Sequence, residues 1–197
     1  MTVALRPLTA ADGDRVLAWR NSEAVAPYMY SDHAIGPAEH AAWLSRALEG
    51  GDRRFWIIEL DGIGVGLANL ARIDAANSRC DWAYYLADPA TRGRGVGACV
   101  EYLVLSFVFE RLALNKLCCE VLVENESVWK THEGFGFTRE AYLRAHVRKG
   151  GVYRDVIGLG MLAADWLAAK ITARERLAAR GVDVDSLEAG AAALGQV

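Results

Sequence analysis

The spacing of apolar and polar positions changes several times along the chain, and each change marks an element. Residues 3–7 alternate and read as a short strand. Asp14, Val16, Leu17 and Trp19 then fall at helical spacing behind Thr9, a capping residue, and the pattern stops at Arg20-Asn21. A polar and aromatic loop, Tyr28-Met29-Tyr30-Ser31-Asp32-His33, leads to Gly36-Pro37. A second helix holding His40, Trp43, Leu44 and Leu48 follows and ends at Gly50-Gly51. Residues 54–60 and 64–73 read as strands joined at Asp61-Gly62, a hairpin signal. Residues 80–86 are a fourth strand. Residues 98–111 place Val100, Leu103, Val104, Phe107 and Val108 on one long helix. Residues 116–123 form a fifth strand and 125–135 a short helix. Residues 138–147 and 152–161 form a last hairpin around Lys149-Gly150-Gly151. Residues 165–180 are Ala-rich and amphipathic, an extra helix. Beyond Gly181 the residues are small and polar, and are expected to be loosely held or to pack on a partner.

This order predicts one α/β (α+β) domain with a mixed, mostly antiparallel sheet and helices on both faces. A chain of 197 residues, 53% hydrophobic, buries one sizeable core. The division expected is residues 1–165 as the domain and 166–197 as a C-terminal helix and tail. A net charge of −3 argues against a general nucleic-acid binder. No stretch approaches the ~20 apolar residues that span a bilayer, and the amino terminus has no signal-peptide form, so a cytoplasmic location is expected. Cys80, Cys99, Cys118 and Cys119 follow no metal-ligand spacing and read as reduced core residues. The four histidines are scattered as well. No metal is expected. A homodimer is left open.

The chemistry starts at Arg92-Gly93-Arg94-Gly95-Val96-Gly97, between the fourth strand and the long helix. Glycines let the backbone turn tightly and approach a ligand. The helix then points unpaired N–H groups and its positive dipole end into the loop, where a pyrophosphate fits. Arg92 and Arg94 add charge. A P-loop would need Lys-Ser/Thr where Ala98-Cys99 stands, and a dinucleotide fold would place the glycines after the first strand. The loop instead resembles the Arg/Gln-x-x-Gly-x-Gly/Ala acetyl-CoA pyrophosphate site of the GNAT superfamily of N-acetyltransferases. The run from Glu120 to Phe137 resembles that family's second signature: an Asn ending strand five, a helix, then a Tyr or His shortly before Gly-Phe. The resemblance extends over roughly residues 3–162.

It implies a GNAT fold splayed between strands four and five, with acetyl-CoA as co-substrate. Pantetheine and acetyl group would be held by the backbone of Tyr85, Leu86 and Ala87. The pyrophosphate would lie on Arg92, Gly93, Arg94, Gly95, Val96 and Gly97, with Asn125, Ser127 and Lys130 completing the cofactor site. His132 stands where relatives carry a Tyr that protonates the departing thiolate; it is either that acid or an orienting group. Asp81 stands where many relatives carry a Glu. It is either a base acting through water or a carboxylate in a salt bridge.

The acceptor is read from the amino-terminal half. Trp19-Arg20-Asn21, Met29-Tyr30-Ser31-Asp32-His33 and Glu39-His40 resemble the N-acetyltransferases of pseudaminic acid biosynthesis. Those act on the 4-amino group of UDP-4-amino-4,6-dideoxy-N-acetyl-β-L-altrosamine, a step toward flagellin glycosylation. Arg20 would be a fork for the diphosphate, and Tyr28, Tyr30 or Trp82 would stack on uracil. Asn21, His40 and Tyr84 complete this substrate set. Two alternatives stand beside it: an N-acetyltransferase of ribosomal proteins or peptides, and a non-catalytic acyl-CoA-binding module.

Overall fold

The computed structural model describes residues 1–194. Its strands are β1 (Val3–Pro7), β2 (Arg54–Leu60), β3 (Ile63–Asp74), β4 (Arg79–Leu86), β5 (Lys116–Leu122), β6 (Thr138–Lys149) and β7 (Val152–Leu162). They form one seven-stranded sheet in the order β1-β2-β3-β4-β5-β7-β6. Every neighbouring pair is antiparallel except β4–β5, which is parallel. A parallel neighbour needs a crossover, and the long central helix supplies it.

β2 shows why the sheet is covered twice. Trp56 and Ile58 point to one face and Ile57 to the other, and all three are buried. The Ile57 face carries α1 (Gly13–Arg20) and α2 (Pro37–Leu48), with Val16, Ala47 and Leu67 packed beneath Trp19, Trp43 and Leu44. The Trp56 face carries α3 (Val96–Ser106), apolar almost all round and buried almost all round. Between β5 and β6 lies α4 (Glu126–Phe135). Thr9 does not cap α1 directly; a single 3-10 turn at Ala10–Asp12 intervenes. There Asp12 accepts from Thr9 Oγ1 at 2.7 Å and from the Arg6 fork at 3.0 and 2.8 Å.

Two expectations need correction. The central helix is α-helical only to Ser106, after which Phe107–Arg111 form a π turn. The residues beyond Gly181 are not loosely held: they form α6 (Val184–Ala193), whose Val184, Leu187 and Ala191 are buried. Leu103 of α3 is close beneath Gly190, 3.5 Å from where a Cβ would sit there. Before α6, α5 (Ala163–Ala178) buries Trp166 at 2% exposure and joins the core shared by α3 and β7. The C-terminal helices therefore share the core on the α3 side of the sheet. No helix of the described residues is long and apolar enough to cross a membrane.

Candidate active site

β4 and β5 pair only at Arg79–Lys116, Cys80–Leu117 and Asp81–Cys118. Beyond Asp81, β4 stays on β3 as far as Leu86, and β5 stays on β7 as far as Leu122. The two strands thus part while each keeps its outer partner. Backbone N–H and C=O groups on the inner edges lose their ladder, and unmet polar groups need a partner. A cleft of about 1130 Å³ opens there.

The glycine loop closes one end. Gly93 and Gly95 take left-handed conformations, φ 72° and 76°, that side chains disfavour. The first N–H of α3 with a partner among the described residues is that of Cys99, bonded to Gly95 O at 3.1 Å. Among the described residues the N–H groups of Val96, Gly97 and Ala98 have no acceptor, and no side chain caps the helix. Open donors at a helix N-terminus suit a pyrophosphate. Nothing lies within 4 Å of where a Gly95 Cβ would sit, whereas one on Gly97 would meet Tyr84 Oη at 2.9 Å. The backbone surface is thus bare on the ligand side and braced by Tyr84 behind. Asn125 stands at the N-cap of α4, yet its side chain makes no capping bond and lines the cleft.

His132 lines the cleft wall from α4 and is 3% exposed. Its Nδ1 lies 2.9 Å from Oε1 of Glu101, a wholly buried carboxylate on α3. Trp82 and Phe137 enclose the imidazole, with ring centroids 5.2 and 5.3 Å away. Burial pushes the Glu101 carboxyl up, and the His132 partner works against that shift. Burial likewise pushes the Tyr84 phenol and the Cys119 thiol up, so both stay neutral at working pH.

The mouth of the cleft is the part lined by the loop before α2 and by the sheet. Tyr28, Met29 and Tyr30 lie on its rim with Arg53, Arg72, Glu120 and Glu140. Its carboxylates are mostly neutralised: Asp81 is ion-paired with Arg72, and Glu140 with Lys116 at 2.7 Å. Glu120 accepts from the Tyr30 hydroxyl at 2.8 Å. The rim is strapped to the β6–β7 turn. Lys149 Nζ donates to the carbonyls of Ala26, Met29 and Ser31 at 2.9, 2.6 and 3.0 Å, and Asp32 accepts from the Gly150 N–H.

The cleft brings together Asp81, His132, Tyr85, Leu86, Arg92, Gly93, Gly95, Val96, Gly97, Asn125, Ser127, Tyr28, Trp82 and Tyr84. Six expected residues lie elsewhere. Arg94 reaches Asp61, 3.7 Å away. Lys130 faces out of α4 toward Glu126 at 2.6 Å. The Ala87 N–H is committed to Val65 O at 2.8 Å. Arg20 bonds Ser31 Oγ at 3.1 Å, and Asn21 holds the Ile35 backbone at 2.8 and 2.9 Å. His40 is buried, with Nε2 on Gly13 O at 2.8 Å and its ring stacked on Trp43. The last three shape the loop from outside the cleft. Sequence reasoning missed Glu101, which reads as one polar position in an apolar helix. Arg180 was also missed. It lies in the turn after α5 and reaches the cleft beside Cys99.

Residues 2–138 match the acetyltransferase (GNAT) domain family, and the chain belongs to it. It is an N-acetyltransferase with acetyl-CoA as donor, and the loop and splayed strands fit that donor. It is 34% identical over 121 residues to the SPbeta prophage-derived uncharacterized N-acetyltransferase YokL of Bacillus subtilis, covering 60% of this chain and 67% of that one. It is 26% identical over 167 residues to spermidine N(1)-acetyltransferase of Escherichia coli K12, covering 85% and 89%. Among solved structures, spermidine N-acetyltransferase from Vibrio cholerae, in complex with CoA and spermine, superimposes with a TM-score of 0.77 at 22% identity. That match covers 84% of this chain and 98% of the other.

Proposed function

We propose that the acetyl acceptor is an amino sugar carried on a nucleoside diphosphate: the 4-amino group of a UDP-linked 4,6-dideoxy sugar, as in pseudaminic acid biosynthesis. The observation that carries this reading is the mouth of the cleft. Tyr28 and Tyr30 are 47% and 43% exposed there, beside Arg53 and Arg72. Flat aromatic surface and guanidinium forks suit a uracil and a diphosphate. The diphosphate partners in this reading are Arg53 and Arg72, since Arg20 lies outside the cleft. Transfer needs the amine neutral as it attacks the thioester carbon and the sulfur protonated as it leaves. Asp81, paired with Arg72, serves here to orient that cation toward the mouth rather than as a free base.

A second reading has its own support. The relatives include enzymes named for spermidine, and Glu120 makes no ion pair among the described residues, as an anchor for a cationic amine would. Against it, a polycation calls for a surplus of carboxylates, and the ion pairs of Asp81 and Glu140 cancel most of that charge.

The test is acetyl-CoA consumption with UDP-4-amino-4,6-dideoxy-N-acetyl-β-L-altrosamine, with spermidine and with an N-terminal ribosomal-protein peptide. Turnover of the nucleotide sugar is expected, with Tyr28→Ala and Arg53→Ala raising its KM and leaving that for acetyl-CoA unchanged. Efficient spermidine turnover alone would replace this reading with the second.

A further inference from the structure

A carboxylate with no exposure is costly to hold inside a protein unless something uses it. Glu101 sits in α3 with 0% exposure, flanked by Val100 and Tyr102, and nothing in the acetyl-CoA loop requires it. Its Oε1 meets His132 Nδ1 at 2.9 Å, and its Oε2 has no partner among the described residues. His132 Nε2 likewise bonds no described group, yet it is not among the sealed polar atoms, and the residue lines the cleft. One ring nitrogen is therefore fixed on the buried Glu101 carboxyl group, and the other, on a residue that lines the cleft, has no partner among the described residues.

We propose that Glu101 is the positioning residue that makes His132 the acid for the departing CoA sulfur. The inference deepens the acetyltransferase reading and rests on it. A carboxylate accepts only from N–H, so Glu101 keeps a hydrogen on Nδ1 in both charge states of the ring. The proton that moves is then the one on Nε2. As the amine nitrogen bonds the acetyl carbon, the C–S bond breaks and its electron pair goes to sulfur. The Nε2 proton passes to that sulfur, giving the thiol. The attacking nitrogen, which still carries both its hydrogens and a positive charge, returns one proton to Nε2 and becomes the neutral amide, restoring the doubly protonated ring. Atoms and charge balance with no further reactant. Trp82 and Phe137 exclude water from the ring faces. The titratable groups facing the pair from other elements are Tyr84 on β4 and Cys119 on β5, both held neutral by burial. Glu101 is thus the charge the imidazole feels most directly.

The experiment is Glu101→Gln, which keeps the shape and removes the charge, assayed with hydroxylamine as a minimal acceptor alongside the amines named above. Expected is a kcat loss of at least about 10-fold, and no larger than the loss of about 100-fold for His132→Ala, with an acetyl-CoA KM within about twofold. The shape of the kcat pH profile should also change, because the ring loses its carboxyl partner at Nδ1. In a His132→Ala background the same change should cost almost nothing. A variant with unchanged kcat and pH profile overturns the proposal, as does an equal loss in the His132→Ala background. Nitrogen NMR of the His132 ring in the wild-type protein decides independently of any acceptor and of whether the variant folds: a neutral ring with its hydrogen on Nε2 overturns it. Failure to acetylate the nucleotide sugar would sink the acceptor reading and leave this result standing.

Discussion

Gly95→Val tests the donor site at its most constrained point. Gly95 holds φ 76°, and a β-branched side chain pays roughly 1–3 kcal/mol to remain there. There is space for the new side chain, since nothing lies within 4 Å of the Cβ position. The native loop is thus strained by the substitution without a clash. At roughly 2–4 °C per kcal/mol for a chain of this size, ligand-free protein should melt about 2–12 °C lower and remain folded at 25 °C. The larger effect falls on binding. The valine projects into the space left for phosphate, or the loop relaxes and the N–H groups of Val96 and Gly97 turn away. Losing two hydrogen bonds to a charged ligand costs about 3–6 kcal/mol, or 10²- to 10⁴-fold in CoA affinity. Calorimetric titration with CoA, paired with a ligand-free melt, separates the two effects. A folded variant that binds CoA within twofold of wild type would refute the placement of the pyrophosphate on this loop.

Three further outcomes are expected. His132→Ala lowers kcat by about 10² while the KM for acetyl-CoA changes little, as steady-state kinetics would show; a variant within a factor of about two moves the acid elsewhere. Arg180→Ala raises the KM for acetyl-CoA severalfold and leaves that for the acceptor unchanged, because Arg180 reaches the cleft at the α3 end; equal shifts in both would place it away from the donor. Asp12 is held well below the usual carboxylate range, first by the Arg6 hydrogen bond. A depressed carboxyl stabilises the fold above the ordinary pKa near 4, and that stability is lost as pH falls below it. Asp12→Asn should therefore lower Tm at pH 7, a cost of about 1–2 kcal/mol given the partly exposed Arg6, and the gap to wild type should narrow toward pH 3. A gap that widens on acidification contradicts the assignment.

Local pattern carried the fold a long way. The continuous apolar run within residues 54–60 reflects burial on both faces of a strand, and the helical spacing at 98–106 reflects burial of a helix; burial is what apolar spacing records. The pattern was silent on what an apolar helix meets. Residues after Gly181 look like a small polar tail, yet Leu187 and Ala191 suffice to dock α6 on α3, because α3 has a second apolar face to cover. The π turn at Phe107–Arg111 leaves no periodic signature over five residues.

The two halves of the site differ in legibility for a physical reason. The features that suit the donor are backbone ones: left-handed glycines, open N–H groups at a helix start, and strands that part beyond Asp81. Backbone needs of that kind restrict residue type to glycine at fixed spacing, so sequence displays them. The proposed acceptor site rests on side chains, whose direction depends on long-range contacts. Arg20 and Asn21 have the right chemistry for a sugar nucleotide, but they point at Ser31 and Ile35 because the loop they end must be tied down. Arg53, just before β2, and Arg72, on β3, line the cleft instead. Glu101 was hidden for the same reason: 31 positions separate it from His132, and only packing α3 against α4 makes a lone polar residue in an apolar helix into the partner of an imidazole. Those positions are also the place to alter specificity. In the proposed reading, changes at Tyr28, Arg53 or Arg72 should alter the KM for the acceptor alone, while the glycine loop and the Glu101–His132 pair serve any amine.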